Sequence, residues 1–255
     1  MRGCAACASG SGDRAQAYPL AAVAKARGAG SAQETHRAHT WVDRVWFVAA
    51  TMSLEDVLPL LTKVGFKKRT EGVFTIDLAP QVLGWLGLNR ATRHHAPGEV
   101  EINPVIGVRF QEVERLVAEL RGAKFHAYAP PTVSTPIGYV MPEKKYKMWL
   151  FSRGRSDADV ANDMANAIAT HGIAFMRSTV ELGELRVKLE ARLGFDHQLA
   201  YRRPVAALIA GDVEQARALL DAELSAMATR KDLAATKFKQ FAEVLRDRLT
   251  SSSHD

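Results

Sequence analysis

The chain predicts an α+β protein: an antiparallel sheet of about five strands, helices on one of its faces, and a C-terminal helical region. Three observations carry this. Runs that alternate with period two crowd the stretch from Gly72 to Phe151. Runs with helical spacing crowd the stretch after Phe151. The connections between them are short.

Residues 1–40 are rich in Ala, Gly, Ser and Arg without an assignable period. Such a segment buries too little apolar surface to offset chain entropy, so a disordered tail is expected. TWVDRVWFVAA (40–50) marks a change in composition. Met52 is an alternative natural start, which Trp41, Trp46 and Phe47 oppose if they dock on the core. Ser53 with Asp56 resembles a capping box, and Leu54, Val57, Leu58, Leu61 and Val64 follow at helical spacing up to Gly65. Pro59 predicts a kink or a shorter helix.

Gly72–Leu78, Val82–Leu88 and Glu99–Val108 read as strands, the last two as the arms of a central hairpin. Gln111–Leu120 reads as a helix with Val113, Leu116, Val117 and Leu120 on its apolar face and Gly122 at its end. Thr132–Val140 and Tyr146–Phe151 read as a further antiparallel pair joined by MPEKK. Ser156 with Asp159 opens a helix that His171–Gly172 should stop, and Ser178 with Glu181 opens another that ends at Gly194. Asp212 opens a third. A last helix presents Ala234, Phe238, Phe241, Leu245 and Leu249 on one face. The expected organisation is a tail (1–40), a sheet with helices (41–155) and a helical region packed on the same domain (156–250). A split near 155 is the alternative.

Composition narrows the function classes. The hydrophobic fraction is 47% and the charged fraction 24%, so a sizeable core is expected. The formal charge is +6, but residues 1–51 hold six Lys/Arg against three Asp/Glu, leaving 28 against 25 in the rest. The excess is unfocused, unlike the basic stripe of a dedicated nucleic-acid binder. Cys4 and Cys7 are the only cysteines. No disulfide can staple the body, which fits a cytoplasmic protein and equally a disulfide-free secreted one. No run of about 18 apolar residues occurs, so no membrane span is expected. Nor is there an apolar core at the N-terminus such as a secretory signal needs.

Four constellations could carry chemistry. The hairpin turn holds Arg90, Arg93, His94 and His95. Glu99, Glu101 and Asn103 share one face of the second arm by alternation, and Asn89 and Arg109 lie at strand ends. A carboxylate near an imidazole would orient it for general-base work, with His94, His95 and Glu101 in the catalytic roles. The same pattern is also what a sheet with one wet face requires. Cys4-x-x-Cys7 with His36-x-x-His39 is a zinc ligand set on paper, but the gap between the pairs is far too long for a finger, and no metal or cofactor is expected. Lys144, Lys145 and Lys147 beside Tyr146 and Trp149, and Arg202 and Arg203 after Tyr201, could stack on single-stranded nucleic acid; they are equally the pattern of solvated edges. Finally, Gly84, Gly87 and Gly107 could notch the sheet into a shallow groove beside Trp85, with Asn89, Asn103 and Arg109 as ligand contacts. No GxGxxG, GxxxxGKS, GxSxG or HExxH motif is present.

GFKK (Gly65–Lys68), LGLN (Leu86–Asn89) and GVRF (Gly107–Phe110), in this order, resemble a bacterial domain-of-unknown-function family in which a GFKK segment leads into the first strand. The resemblance implies an α+β fold and a bacterial cytoplasmic protein, and carries over no catalytic residue. The leading expectation is a non-enzymatic binding or interaction module, with a protein partner or self-association through the C-terminal helices. The alternatives are an enzyme with a His/Glu acid–base site on the hairpin, and a nucleic-acid-binding protein.

Overall fold

The fold is that of a computed structural model, which describes residues 57–92, 95–152 and 157–251. The chain divides at Thr40–Trp41, and everything below concerns the second unit, which holds the sheet and the C-terminal helices together. The expectations for residues 1–40, the Cys/His set, Trp41, Trp46, Phe47 and the Ser53 cap lie outside the described residues.

The fold is α+β. Strands β1 (Lys67–Thr70), β2 (Val73–Ala79), β3 (Val82–Ala91) and β4 (Glu99–Phe110) follow one another as an antiparallel meander. On the far edge of β4 lie two short strands end to end, β5 (Val133–Pro136) and β6 (Trp149–Ser152). The expected pairing of Thr132–Val140 with Tyr146–Phe151 is therefore corrected: each pairs with β4, at Val105–Val108 and Glu99–Ile102 respectively. Pro104 accounts for the break. It brings no N–H to a ladder, and it sits with Asn103 where β4's outer edge lies between the two partners.

β4 sets the geometry of everything else. Its even residues Val100, Ile102, Ile106, Val108 and Phe110 are buried in the main core. The odd residues Glu99, Glu101, Asn103, Val105, Gly107 and Arg109 face the other way. The β3 register continues this division, placing Leu86 opposite Ile106 on the core face and Trp85 opposite Gly107 on the outer face.

The first described helix, α1 (residues 57–63), runs through Pro59 and ends as expected at Gly65. There φ is +102° and the Phe66 N–H closes back on the Leu61 carbonyl at 3.0 Å, a Schellman-type stop. Helix α2 (Gln111–Leu120) follows β4 without a loop. The carbonyl of Gln81, in the β2–β3 turn, accepts its first N–H at 2.8 Å.

Helix α3 (Ala158–Ala167) does not stop at His171–Gly172. It continues through a π-turn (Ile168–Gly172) into α4 (Ile173–Arg177). Gly172 lies against Ile106 and Ile137, so the missing side chain serves close helix–sheet approach rather than termination. Ser178 belongs to the end of α4, its hydroxyl donating to the Phe175 carbonyl, and α5 (Leu182–Glu190) starts without a side-chain cap.

Helix α6 (Asp196–Ile209) has no counterpart in the sequence reading. It is buried over most of its circumference, at Leu199, Ala200, Tyr201, Arg202 and Pro204–Ala207, so it shows no amphipathic stripe, and Pro204 reads as a breaker. Helix α7 (Val213–Ala226) starts as expected at Asp212, whose carboxylate accepts from Gln215 N–H at 3.1 Å. Helix α8 (Leu233–Ser251) turns Ala235, Phe238, Phe241, Leu245 and Leu249 inward; Ala235 rather than Ala234 belongs to that face. Phe238 and Phe241 pack edge-on against Tyr201 of α6. The face expected to receive a second copy is thus spent inside the fold. No helix among the described residues is long and apolar enough to cross a membrane.

Candidate functional site: a cationic cavity at the end of strand β4

Arg109 lies on the outer face of β4, two residues before α2, yet is only 2% exposed. The segment from Gly122 to Thr132 folds over it. Gly122, with φ +60°, ends α2 and turns the chain back, and the Ala123 N–H closes on the Ala118 carbonyl. Arg109 then donates to three carbonyls of that segment: Nε to Ala127 at 2.9 Å, Nη1 to Pro130 at 2.7 Å and Nη2 to His126 at 2.7 Å. Its guanidinium pins the loop to the sheet.

Arg202 approaches from α6, also 2% exposed, with Nη1 donating to the Thr132 carbonyl at 3.1 Å. Between the two guanidiniums stands one carboxylate, Glu114 of α2. Its Oε1 lies 2.7 Å from Arg202 Nε and its Oε2 3.4 Å from Arg109 Nη1. The Oε1 contact is close but poorly aligned, and Oε1 has no well-directed donor. Burial pushes both guanidiniums below the ordinary arginine range; Glu114 offsets this in part, and each further cation nearby adds to it. Both remain charged at any accessible pH.

A cavity of about 170 Å³ opens beside this cluster, between α2, the 121–130 segment and α6. A single ordered water needs about 10–15 Å³ on such a measure, so the space suits a small molecule's charged end. Glu114, Val117, Ala118 and Arg121 contribute one face of α2 at helical spacing. The Arg121 guanidinium lies 4.4 Å over the Tyr201 ring, and Lys124, His126 and Gln198 complete the polar lining. A cationic, water-reaching cavity of this kind can bind an oxyanion by charge-assisted hydrogen bonds.

The hairpin end of the sheet holds a second polar cluster. His95 Nε2 is 3.0 Å from Glu101 Oε2, and the Tyr146 hydroxyl donates to Glu101 Oε1. Desolvation, then the Glu101 hydrogen bond, push the Tyr146 phenol up to about 12. Asn103 donates to the Lys147 carbonyl at 2.6 Å, across the gap between β5 and β6. So the expected His95–Glu101 pair exists, but both carboxylate oxygens are engaged and the contacts tie the hairpin to the 140–148 segment. His94 lies outside the described residues.

The glycine groove is corrected. The notch at Gly87 is filled by the Trp85 indole itself, where an added Cβ would come within 2.4 Å of a ring carbon. Pro131 and the Val133 carbonyl cover Gly107, and Met176 of α4 covers Gly84 from the other face. Trp85 Nε1 is buried without a partner and Asn89 is exposed, so neither converges on a ligand with Asn103 or Arg109. The basic residues also scatter. Lys144 and Lys145 are exposed beyond β4's start, and Lys147 lies 5.1 Å over the Trp149 ring. Arg203 meets Glu223 at 3.5 Å, and Arg202 is buried at the opposite end of β4.

Arg109 and Arg202, assigned by sequence to a ligand groove and a nucleic-acid patch, therefore meet on one carboxylate. Tyr201 entered only as a neighbour of the nucleic-acid patch, and Glu114, Arg121, Lys124 and Gln198 were not singled out. The i, i+7 spacing of Glu114 and Arg121 on α2 was the one readable signal, and it points nowhere without α6. Among the described residues no group of three or more His, Cys, Asp or Glu is placed to hold a metal. No known family model, curated protein or solved structure matches the chain.

Proposed function

We propose that this protein is a non-enzymatic binding module whose ligand is a small anion, held in the cavity beside Arg109, Glu114 and Arg202. One observation carries the reading: two arginines, each 2% exposed, share a single carboxylate. Buried charge is costly unless it is paired, and one glutamate cannot compensate two guanidiniums. Loop carbonyls solvate Arg109, but Arg202 has only the Thr132 carbonyl and the misaligned Glu114 contact. An oxyanion in the cavity supplies the missing charge.

Thermal unfolding of the full chain, titrated with acetate, sulfate and phosphate at constant ionic strength, tests this. At least one oxyanion should raise Tm with concentration, as binding to the folded state alone requires. The rise should shrink in Arg121→Ala, an exposed position whose substitution leaves the core intact. Indifference to all three anions removes the reading.

A further inference from the structure

We propose that the group bound in the cavity is a phosphoryl dianion rather than a monocarboxylate, an inference that rests on the anion-cavity reading above. Charge and direction both support it.

Among the Arg, Lys, Asp and Glu residues lining the cavity, Arg109, Arg121, Lys124 and Arg202 stand against Glu114 alone, a surplus of three positive charges. A monocarboxylate leaves two of those uncompensated, and a dianion leaves one. The surplus also comes from three different places: Arg121 from the C-cap of α2, Lys124 from the segment after it, and Arg202 from α6. A carboxylate is planar and best served by one guanidinium fork. A phosphoryl group offers three peripheral oxygens in different directions and accepts from several donors at once.

Two donors are already oriented. Stacking on Tyr201 holds the plane of Arg121, and the Thr132 carbonyl fixes Arg202 through Nη1 while Glu114 lies 2.7 Å from its Nε. Among the described residues Arg202 Nη2 makes no hydrogen bond, and it is not among the fully buried atoms, so this donor of an otherwise buried side chain is open to a ligand. The two helix dipoles act in opposite senses here. The C-terminal carbonyls of α2 oppose an anion, and the start of α6, with no side-chain cap on its first N–H groups, favours one. Selectivity thus falls to the side-chain cations. The ligand is either free phosphate or the phosphate end of a monoester, whose remainder would lie along the Phe125 and Tyr201 walls.

Calorimetric titration of the full chain with inorganic phosphate, phenyl phosphate and acetate, in chloride buffer of fixed ionic strength, decides the matter. Phosphate or phenyl phosphate should bind at least about tenfold more tightly than acetate, and Arg121→Ala/Lys124→Ala should weaken phosphoryl binding by about tenfold or more. Tighter binding of phenyl phosphate than of phosphate identifies a monoester; the reverse identifies the free ion. Both rim positions are exposed, so the variant folds, and Arg202→Lys tests the Arg202 Nη2 donor separately. Acetate binding as tightly as phosphate overturns the phosphoryl assignment and leaves the anion reading intact. Phosphate binding unchanged in the rim variant also overturns it, because the ion would then sit elsewhere. No heat with any of the three overturns both.

Discussion

Two polar clusters sit on the same outer face of β4, one around Glu101 and one around Arg109, separated by eight residues of strand or roughly 27 Å. They obey opposite charge logic. At the hairpin end one carboxylate receives two donors, His95 and Tyr146, and the groups are part-exposed. Near α2 two guanidiniums receive one carboxylate and are buried. The first cluster is satisfied by the protein and acts as a latch. The second carries more positive charge than the protein answers, and is the better place to look for a ligand. Identical strand geometry therefore hosts a closed structural contact at one end and an open cationic cavity at the other; the difference lies in what covers each end.

Substitutions can break this contrast, and the largest effect is expected at Glu114. Glu114→Gln leaves two buried guanidiniums without a counter-charge and should cost about 3–5 kcal/mol in chemical denaturation. A loss below about 1 kcal/mol would show that the loop carbonyls alone suffice, and would remove the charge argument for the cavity. Next comes the cover itself. In Gly107→Ala the new methyl would lie 2.4 Å from the Val133 carbonyl oxygen and would press on Pro131, so the 122–132 segment must shift. About 1–3 kcal/mol of destabilisation is expected, with anion binding weakened in parallel. Unchanged stability would mean that the segment is held more loosely over Arg109 than its three carbonyl contacts imply.

At the latch the effects are smaller. Tyr146→Phe should cost about 1 kcal/mol or less at neutral pH, since the phenol is more than half exposed. Folding raises the phenol from 10.0 to about 12, so the folded state favours the protonated form. That contribution is whole below pH 10 and is lost as pH climbs toward 12. The stability gap between wild type and Tyr146→Phe should therefore close over that interval, and a phenolate absorbance titration should show one late-titrating tyrosine. A gap constant up to pH 12 would contradict the Glu101 contact. His95→Ala should cost about 1 kcal/mol or less and leave anion binding untouched, because it lies at the far end of the strand. If it changes anion affinity, the two clusters are coupled and the contrast between them fails.

Much of the sheet was legible because its signal is local. Alternation over Val82–Leu88 and Glu99–Val108 assigns each side chain to a face, and Gly65 and Gly122 mark helix ends. What was not legible required contacts distant in the chain. Helix α6 looked irregular because a helix buried nearly all round has no polar side to reveal its period. The strands β5 and β6 looked like a hairpin because both are short and extended, yet the edge of β4 offers both a longer partner. The glycine groove failed for a related reason: composition shows where side chains are missing, and only packing shows what fills the space.

By itself, the sequence determined the parity of β4, and with it the placement of Glu101, Asn103 and Arg109 on one face, because side-chain direction in a strand depends only on position along it. It also determined the overall basic charge. Only the tertiary structure decided that Arg109 meets Arg202 across Glu114, and that the Gly122–Thr132 segment closes over them. Charge becomes a binding determinant when it is removed from water, and burial is a property of the whole fold.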